Sequence, residues 1–322
     1  MTRHLPRLAP LMAEETQHLD AALKAWGLER AHVQLVATRE NKVYRVEQAG
    51  QTWALKEHRP GLRSRAQLTS ELGLLAYLAS NGLKVPQPVP AADGSLLVNL
   101  DRGTFSLCQW MAGQALSDMA LANYDLAMAE RLGECVAGFH RLSESWQPPK
   151  GFDRPDWTIE GLVGERPVWG RFWDCAFLTT EEQKLLGQAR ARARELLETL
   201  ELKPMLIHAD LMFENLLVDQ DEICLIDFDD SAWGYAPFDL ATVLNRFERE
   251  GLDERGAEAF LQAYARAGGA PLDPQTRVLF QALRAFTYVG WIADKLDEPG
   301  GRERLTRFVE VARDHGLRLL GL

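Results

Sequence analysis

Polar residues interrupt two short apolar stretches in the second half of the chain. His208, Asp210 and Asn215 have the spacing His-x-Asp-x4-Asn, and Asp227 stands seventeen positions after Asp210, at the end of the second apolar stretch. Both stretches are too short for helices, so we predict strands joined by a hairpin between 218 and 223, with polar side chains where the strands end. This layout is typical of a site that transfers phosphoryl groups.

Each residue type suits one task in that chemistry. A carboxylate must accept the proton of the attacking hydroxyl, and oxygen ligands must hold magnesium against a triphosphate. We therefore predict Asp210 as the proton acceptor, with Asn215 and Asp227 as metal ligands. A lone Asp or Asn is more often a turn former or a helix cap, but the ordered set favours the chemical interpretation.

A lysine and a glutamate upstream could bind the phosphates. Lys56 ends the sequence Trp-Ala-Leu-Lys on a predicted strand, and Glu71 lies in the helix predicted next. An ion pair between them would aim Lys56 at the phosphates. Taken alone, they are typical of a surface lysine and a solvated glutamate; their order before the catalytic loop favours the pair.

Other nucleotide contacts are expected from the backbone. The place of a glycine-rich phosphate loop is taken by residues 38–44, which include Asn41, so the amides of this turn would cradle the phosphates. Exposed backbone near residue 112, where a lobe boundary is predicted, would bind the adenine edge. An ordinary strand-to-helix connector is the alternative there.

Composition limits the class of protein. The 322 residues are 46% hydrophobic and 25% charged, with a net charge of −10 and four scattered cysteines. We expect a cytoplasmic globular enzyme without a membrane span or disulfide framework. The negative charge argues against nucleic-acid binding and mildly favours a cationic or neutral acceptor.

Apolar periodicity predicts a sheet followed by helices. Strands are expected at 33–37, 42–47, 52–57, 95–100 and 104–109, and helices at 11–26, 65–80, 123–143, 180–200, 254–267, 275–296 and 301–319. The segment 231–241 is expected to lead into one more helix, which ends at 248. Residues 146–173 lack a clear period and are expected to form a long loop or short-helix insertion. Near helix ends, we predict a packed or capping role for His140, and mainly a cap for Asp239, which could also anchor the catalytic loop.

Four residues after the second metal ligand are candidates for acceptor binding. Asp229 and Asp230 follow Asp227 directly, with Trp233 and Tyr235 beyond them. Carboxylates and aromatic faces together would attract an ammonium group. Alternatively, the two carboxylates pair with basic side chains and Trp233 packs in the core.

The motifs resemble those of the aminoglycoside phosphotransferase and choline kinase superfamily. The similarity covers nearly the whole chain, and the most specific segments are His208–Asn215, Ile226–Asp230 and Phe238–Ala241. The chain is also similar to homoserine kinase-like and stress response kinase A groups. Ala209 replaces the arginine of eukaryotic protein kinases, Phe-Asp replaces Phe-Gly after Asp227, and no Ala-Pro-Glu follows. The missing arginine and the short segment argue against phosphorylation-switched activation.

The resemblance implies a fold, cofactors and roles. It implies an α+β, two-lobed protein-kinase-like fold, with a small antiparallel N-lobe at 1–111 and a mainly helical C-lobe at 112–322, using ATP and Mg²⁺. Within it, His208 and Asp210 would serve catalysis, and the Gln109 and Met111 backbone would bind adenine. Only eleven residues separate Asp227 from Asp239, so a small hydroxylated acceptor is expected. A protein acceptor and an inactive nucleotide-binding scaffold remain the alternatives.

Overall fold

The chain folds into two units, each built from three separate segments of the sequence. A computed structural model describes residues 13–38, 40–119, 124–252 and 254–322. Of these residues, the first unit contains those up to Met119 together with Gln147–Arg154 and Glu214–Phe228, and the second contains the others. The boundary expected near residue 112 from the sequence stays a prediction.

An antiparallel sheet forms most of the first unit. Its strands are β1 (His32–Thr38), β2 (Lys42–Gln48), β3 (Gln51–His58), β4 (Val98–Leu100) and β5 (Gly103–Gln109), in the order β1-β2-β3-β5-β4. Because side chains alternate along a strand, Tyr44 and Val46 of β2 enter one core together with Leu55 and Phe105. Helix α1 (Ala13–Leu23) adds Leu19 to that core.

Helix α2 (Arg65–Ser80) follows the sheet and starts at a capping box. The Ser64 hydroxyl accepts a hydrogen bond from the Gln67 amide, and the Gln67 side chain accepts one from the Ser64 amide. These two bonds satisfy amides that the first turn leaves without helical partners. Leu68, Leu72 and Leu75 are buried one turn apart, which fixes the face on which Glu71 also lies.

A second sheet in the first unit carries the hairpin. It contains β6 (Gln114–Ala115), β8 (Leu216–Asp219) and β9 (Glu222–Leu225), in the order β6-β8-β9. Gly113 precedes β6 with a φ of 124°, and a Cβ there would lie 2.8 Å from the Val218 carbonyl oxygen. Only glycine allows this close approach of the two backbones.

The second unit is mainly helical. Its helices are α3 (Leu126–Ser145), α4 (Ile159–Val163), α5 (Thr180–Thr199), α6 (Ala236–Arg249), α7 (Glu254–Arg266), α8 (Pro274–Ile292) and α9 (Gly301–Leu320). Strands β7 (Met205–Ile207) and β10 (Ala232–Gly234) form a two-stranded antiparallel sheet, which packs in the hydrophobic core of this unit. Ile207 and Phe238 are fully buried, so packing holds both the strand that leads into the catalytic loop and the start of α6.

The observed elements confirm the α+β fold class. Strand and helix bounds agree with the sequence predictions to within a few residues, and the 146–173 segment contains only the short helix α4. The expected starts of two helices, Leu11 and Asn123, lie outside the described residues, as does Arg39 of the predicted phosphate turn. Among the helices described, none has the length and apolar character needed to cross a membrane.

Candidate active site

Lys56 occupies the centre of the first unit's sheet. It lies in β3 opposite Val43 on one side and Ser106 on the other. Its Nζ is 3.4 Å from Glu71 Oε1 and 3.9 Å from Asp227 Oδ1. The expected ion pair between Lys56 and Glu71 is therefore present, and the carboxylate of Asp227 lies beside it.

Glu71 is shared between two cations. Its side chain is 4% exposed, and its Oε2 lies 3.7 Å from Arg154 Nη1. Arg154 also donates hydrogen bonds to the carbonyl oxygens of Gln67 and Phe228, at 3.3 and 3.0 Å. Since Phe228 follows Asp227 directly, this buried arginine joins helix α2 to the segment that carries the predicted metal ligand.

The predicted metal ligands lie at the two ends of the β8–β9 hairpin. Asn215 is buried, and its carbonyl oxygen accepts a hydrogen bond from the Ile226 amide at 3.0 Å. Asp227 has a φ of 64°, in the left-handed region that Asp adopts more readily than most residues. The side chains offer an amide and a carboxylate oxygen, which fits Mg²⁺, because that ion usually keeps several waters and few protein ligands.

The other predicted nucleotide contacts have mixed environments. The Asn41 side-chain oxygen accepts a hydrogen bond from the Arg59 amide at 2.9 Å, which stabilises the turn between β1 and β2 against the end of β3. Gln109 is the last residue of β5, and its side chain is exposed. Its backbone amide donates a hydrogen bond to the Gln87 carbonyl oxygen. Met111 is half-buried just beyond it. Their roles toward a nucleotide remain predictions.

In the second unit, one buried carboxylate holds the catalytic loop. Asp239 is fully buried and accepts hydrogen bonds from the His208 and Ala209 amides, both at 2.8 Å. The predicted capping role is wrong, because α6 is capped by Tyr235 without a side-chain hydrogen bond and Asp239 lies inside its first turn. The loop-anchoring alternative is the one observed.

Two further side chains complete this buried network. His140 Nε2 donates to Asp239 Oδ2 at 3.1 Å, and the Tyr264 hydroxyl donates to His140 Nδ1 at 2.8 Å. Burial and the charge of Asp239 raise the pKa of Tyr264, so its hydroxyl keeps the proton that it donates. His208 is also buried, and its Nδ1 accepts a hydrogen bond from the Asp210 amide at 3.3 Å.

The predicted base carries a short ion pair. Arg284 Nη2 lies 2.6 Å from Asp210 Oδ1, with side chains 4% and 31% exposed, respectively. Arg284 Nη1 donates to the Ala209 carbonyl oxygen at 3.3 Å. Ala209 has a φ of 66°, a conformation that costs a non-glycine residue about 1–2 kcal/mol and persists where the surroundings enforce it.

Comparison with known proteins assigns this arrangement to a family. The family model described as "Phosphotransferase enzyme family" matches residues 32–277. The chain belongs to the phosphotransferase enzyme family. It is therefore a kinase, and Lys56, Asp210 and Asp227 all fall inside the matched region.

Individual relatives of this phosphotransferase are kinases as well. Homoserine kinase of Brucella suis is 27% identical over 282 residues, covering 80% of this chain and 82% of that protein. Amicoumacin kinase of Bacillus subtilis is 25% identical over 238 residues, covering 71% and 67%. The structure of a microcompartment-associated aminopropanol kinase superposes with a TM-score of 0.79 at 27% identity, covering 94% of this chain and 96% of that one.

The four acceptor candidates of the phosphotransferase do not share one environment. Asp229 and Asp230 are half-buried in a 3-10 turn, and the charge of Asp230 acts on Arg284. Trp233 is half-buried in β10, opposite Leu206. Tyr235 is buried, with its ring 6.0 Å from that of Phe280. Thus Asp230 interacts electrostatically with the arginine that pairs with the predicted base, whereas Tyr235 packs in the core.

Sequence reasoning missed Arg154 and Arg284. Both are buried, and each contacts a site residue far away in sequence: Arg154 and Glu71 are 83 positions apart, Arg284 and Asp210 are 74 apart. A local signal exists for Arg284, which stands in the apolar run Leu-Arg-Ala-Phe of α8. A lone charge on a buried helix face requires a partner.

Proposed function

We propose that this phosphotransferase moves the γ-phosphate of ATP to a hydroxyl of a small, amine-bearing molecule, with Mg²⁺ as the metal. The observation that carries the proposal is the cluster in which Lys56 Nζ lies within 3.9 Å of both Glu71 and Asp227. A lysine between two carboxylates is suited to exchange one anionic partner for phosphate oxygens. We keep 1–111 as the proposed nucleotide-binding lobe and 112–322 as the lobe with the catalytic loop.

The proposed reaction transfers one phosphoryl group and one proton. The acceptor oxygen bonds to the γ-phosphorus, the bond from that phosphorus to the β–γ bridging oxygen breaks, and its electron pair leaves with ADP. The proton of the acceptor hydroxyl passes to the carboxylate of Asp210. Lys56 offsets the negative charge of the α- and β-phosphates, with Glu71 orienting its ammonium group.

Asn215 and Asp227 are the proposed metal ligands. When bound, Mg²⁺ supplies positive charge that screens the phosphate oxygens and stabilises charge in the transition state. The protein's part is to orient the two oxygen ligands. The hydrogen bond from the Ile226 amide to Asn215 and the Arg154 contact to Phe228 each stabilise the backbone beside one ligand.

Two observations support an amine on the acceptor: the acceptors for which relatives are named, and acidic side chains in this chain. Homoserine and aminopropanol each carry an amine and a hydroxyl on a short carbon chain. In this chain the carboxylates of Asp229 and Asp230 lie within the 3-10 turn Phe228–Asp230. Carboxylates near an acceptor would attract its ammonium group and repel a free phosphate monoester.

Matched acceptors test the proposal. Magnesium-dependent ADP release is measured with 1-amino-2-propanol against 1,2-propanediol and with homoserine against 2,4-dihydroxybutyrate, pairs that differ by an amine in place of a hydroxyl. We expect kcat/KM to be about tenfold higher for the amines, which corresponds to about 1.4 kcal/mol. Higher activity with the diols or with serine-containing peptides would contradict the proposed acceptor.

Asp230→Asn refines the same experiment. Loss of this carboxylate should raise KM for the amine severalfold while leaving KM for ATP nearly unchanged. Asp219→Asn, at the exposed end of β8, is the matched control and should change neither constant. If Asp230→Asn raised KM equally for an amine and for its diol counterpart, Asp230 would not be the residue that binds the ammonium group.

A further inference from the structure

Arg284 has an unusual set of contacts for a buried charge. It lies on α8 at 3% exposure, and its guanidinium stacks 4.3 Å from the ring centre of Tyr288. Its two hydrogen bonds go to the Ala209 carbonyl oxygen and to Asp210 Oδ1. Within the described part of the chain, its buried Nε has no hydrogen-bond partner. All of its hydrogen bonding is therefore directed at two consecutive residues of the catalytic loop.

Stability alone does not account for such a residue. A buried arginine with an unsatisfied Nε is penalised by desolvation, and apolar residues often replace buried ion pairs without loss of stability. Asp210 is 31% exposed, so water could solvate its charge without an arginine beneath it. The contact is better explained by what it does to the geometry of the carboxylate.

Arg284 constrains Asp210 on both sides of its Cα. The bond to the Ala209 carbonyl fixes the peptide that precedes Asp210, and the bond to Oδ1 fixes the rotation of the carboxylate. Charge-assisted N–H···O bonds of 2.7 Å or less are at the short, strong end of their range. The planar guanidinium makes both bonds with a fixed angle between them.

We infer that Arg284 is a positioning residue for the base: it holds Asp210 Oδ1 and the preceding peptide, and thereby fixes the orientation of the carboxylate that receives the acceptor proton. This inference rests on the proposed function, because it assumes that Asp210 is the base. It adds a role for a residue outside every motif of the sequence. Arg284 acts through Asp210 and does not contact the transferred group.

Kinetics of Arg284→Ala test the role. Turnover is measured with magnesium-ATP and 1-amino-2-propanol and, in parallel, with water as the acceptor in ATP hydrolysis, so that both readouts report the base. We expect kcat to fall about 100-fold, the effect of misplacing a reacting group by about 1 Å, with KM for ATP unchanged. Added guanidinium ion should restore part of the lost kcat by filling the vacated space.

Arg277→Met is the matched control. Arg277 lies two turns earlier on α8 and pairs with Glu254 at 2.6 Å, so its loss also removes an arginine–carboxylate pair from the same helix. This control should keep wild-type turnover. Arg284→Lys keeps the charge and the apolar stem but not the two fixed bonds, and should give an intermediate kcat; it carries the test if the alanine variant does not fold.

A double-mutant cycle separates positioning from a general structural effect. In the Asp210→Asn background, Arg284→Ala should lower the residual turnover by no more than about twofold, the usual scatter of additivity, because its target is already gone. The inference would be overturned if the two substitutions together lowered turnover by the product of their separate factors. It would also be overturned if a folded Arg284→Ala protein kept wild-type kcat. If Asp210→Asn itself kept full turnover, the proposed function would fail instead, so the two failures are distinguishable.

Discussion

The two units hold their site carboxylates in contrasting ways. In the first unit, Lys56 lies 3.4 and 3.9 Å from its carboxylate partners, and Asp227 is 49% exposed. In the second unit, Asp239 is fully buried and accepts hydrogen bonds of 2.8 to 3.1 Å. The ion pairs of Lys56 are long and one of its partners is half exposed, whereas the hydrogen bonds of Asp239 are short and fully buried.

This difference follows from what each unit is proposed to do. Groups that bind a charged substrate must exchange one partner for another, and long, hydrated ion pairs make that exchange inexpensive in free energy. A base must instead be oriented before the reaction, and buried hydrogen bonds provide that preorganisation. Substitutions in the first unit should therefore alter binding, and those in the second should alter turnover or stability.

Asp210→Asn should have the largest effect. Loss of the proton acceptor is expected to lower kcat by about 10² to 10⁴, while magnesium-ATP still raises the melting temperature, because the nucleotide ligands are intact. Steady-state kinetics and thermal shift measure the two properties separately. A variant that loses ATP binding along with turnover would break the proposed division of roles.

Asp239→Asn should have the next largest effect, mainly on the free energy of unfolding. Asparagine offers one acceptor oxygen where the carboxylate offers two, and hydrogen bonds to charged groups contribute about 1.5–3 kcal/mol each. We expect a loss of about 3 kcal/mol in urea unfolding together with reduced kcat. Asp273→Asn, which changes the exposed N-cap of α8, is the control and should stay within about 1 kcal/mol. Equal losses in both variants would show that the buried anchor is unimportant.

Asp227→Asn should affect the metal rather than the fold. Asparagine tolerates the left-handed backbone at this position, so the substitution isolates the charge of the ligand. The part of the ATP-induced thermal shift that depends on Mg²⁺ should be lost, with the shift by ATP alone retained. Asp219→Asn should keep both parts. If the magnesium-dependent shift survives in Asp227→Asn, the metal is bound by other residues.

Tyr264→Phe should be the smallest of the four effects. It removes the hydroxyl that donates to His140 Nδ1 and leaves that buried nitrogen without this hydrogen bond. The expected loss is about 1–2 kcal/mol in urea unfolding, with kcat changed less than by Asp239→Asn, since Asp239 still accepts the loop amides. A change in KM for ATP would contradict the separation between the units.

Local sequence patterns predicted the elements and the ordered motif residues. Alternation over 42–47 and the apolar spacing of 65–80 specify a strand and a helix by local chemistry, and the observed bounds agree closely. The roles of Asp239 and Arg284 depended on contacts 30 and 74 positions away, which no local pattern encodes. A carboxylate near a helix start has the same composition whether it caps that helix or accepts amides from a distant loop.

The discontinuity of the first unit has a consequence for synthesis on the ribosome. The strands of its five-stranded sheet and β6 are complete by Met119, but the β8–β9 hairpin ends at Leu225 and the unit at Phe228, 109 residues after Met119. At about 5–20 residues per second, the early strands wait roughly 5 to 20 seconds for their last segment. During translation, β6 has no β8 to pair with, so the nascent chain exposes a strand edge that a chaperone could cover.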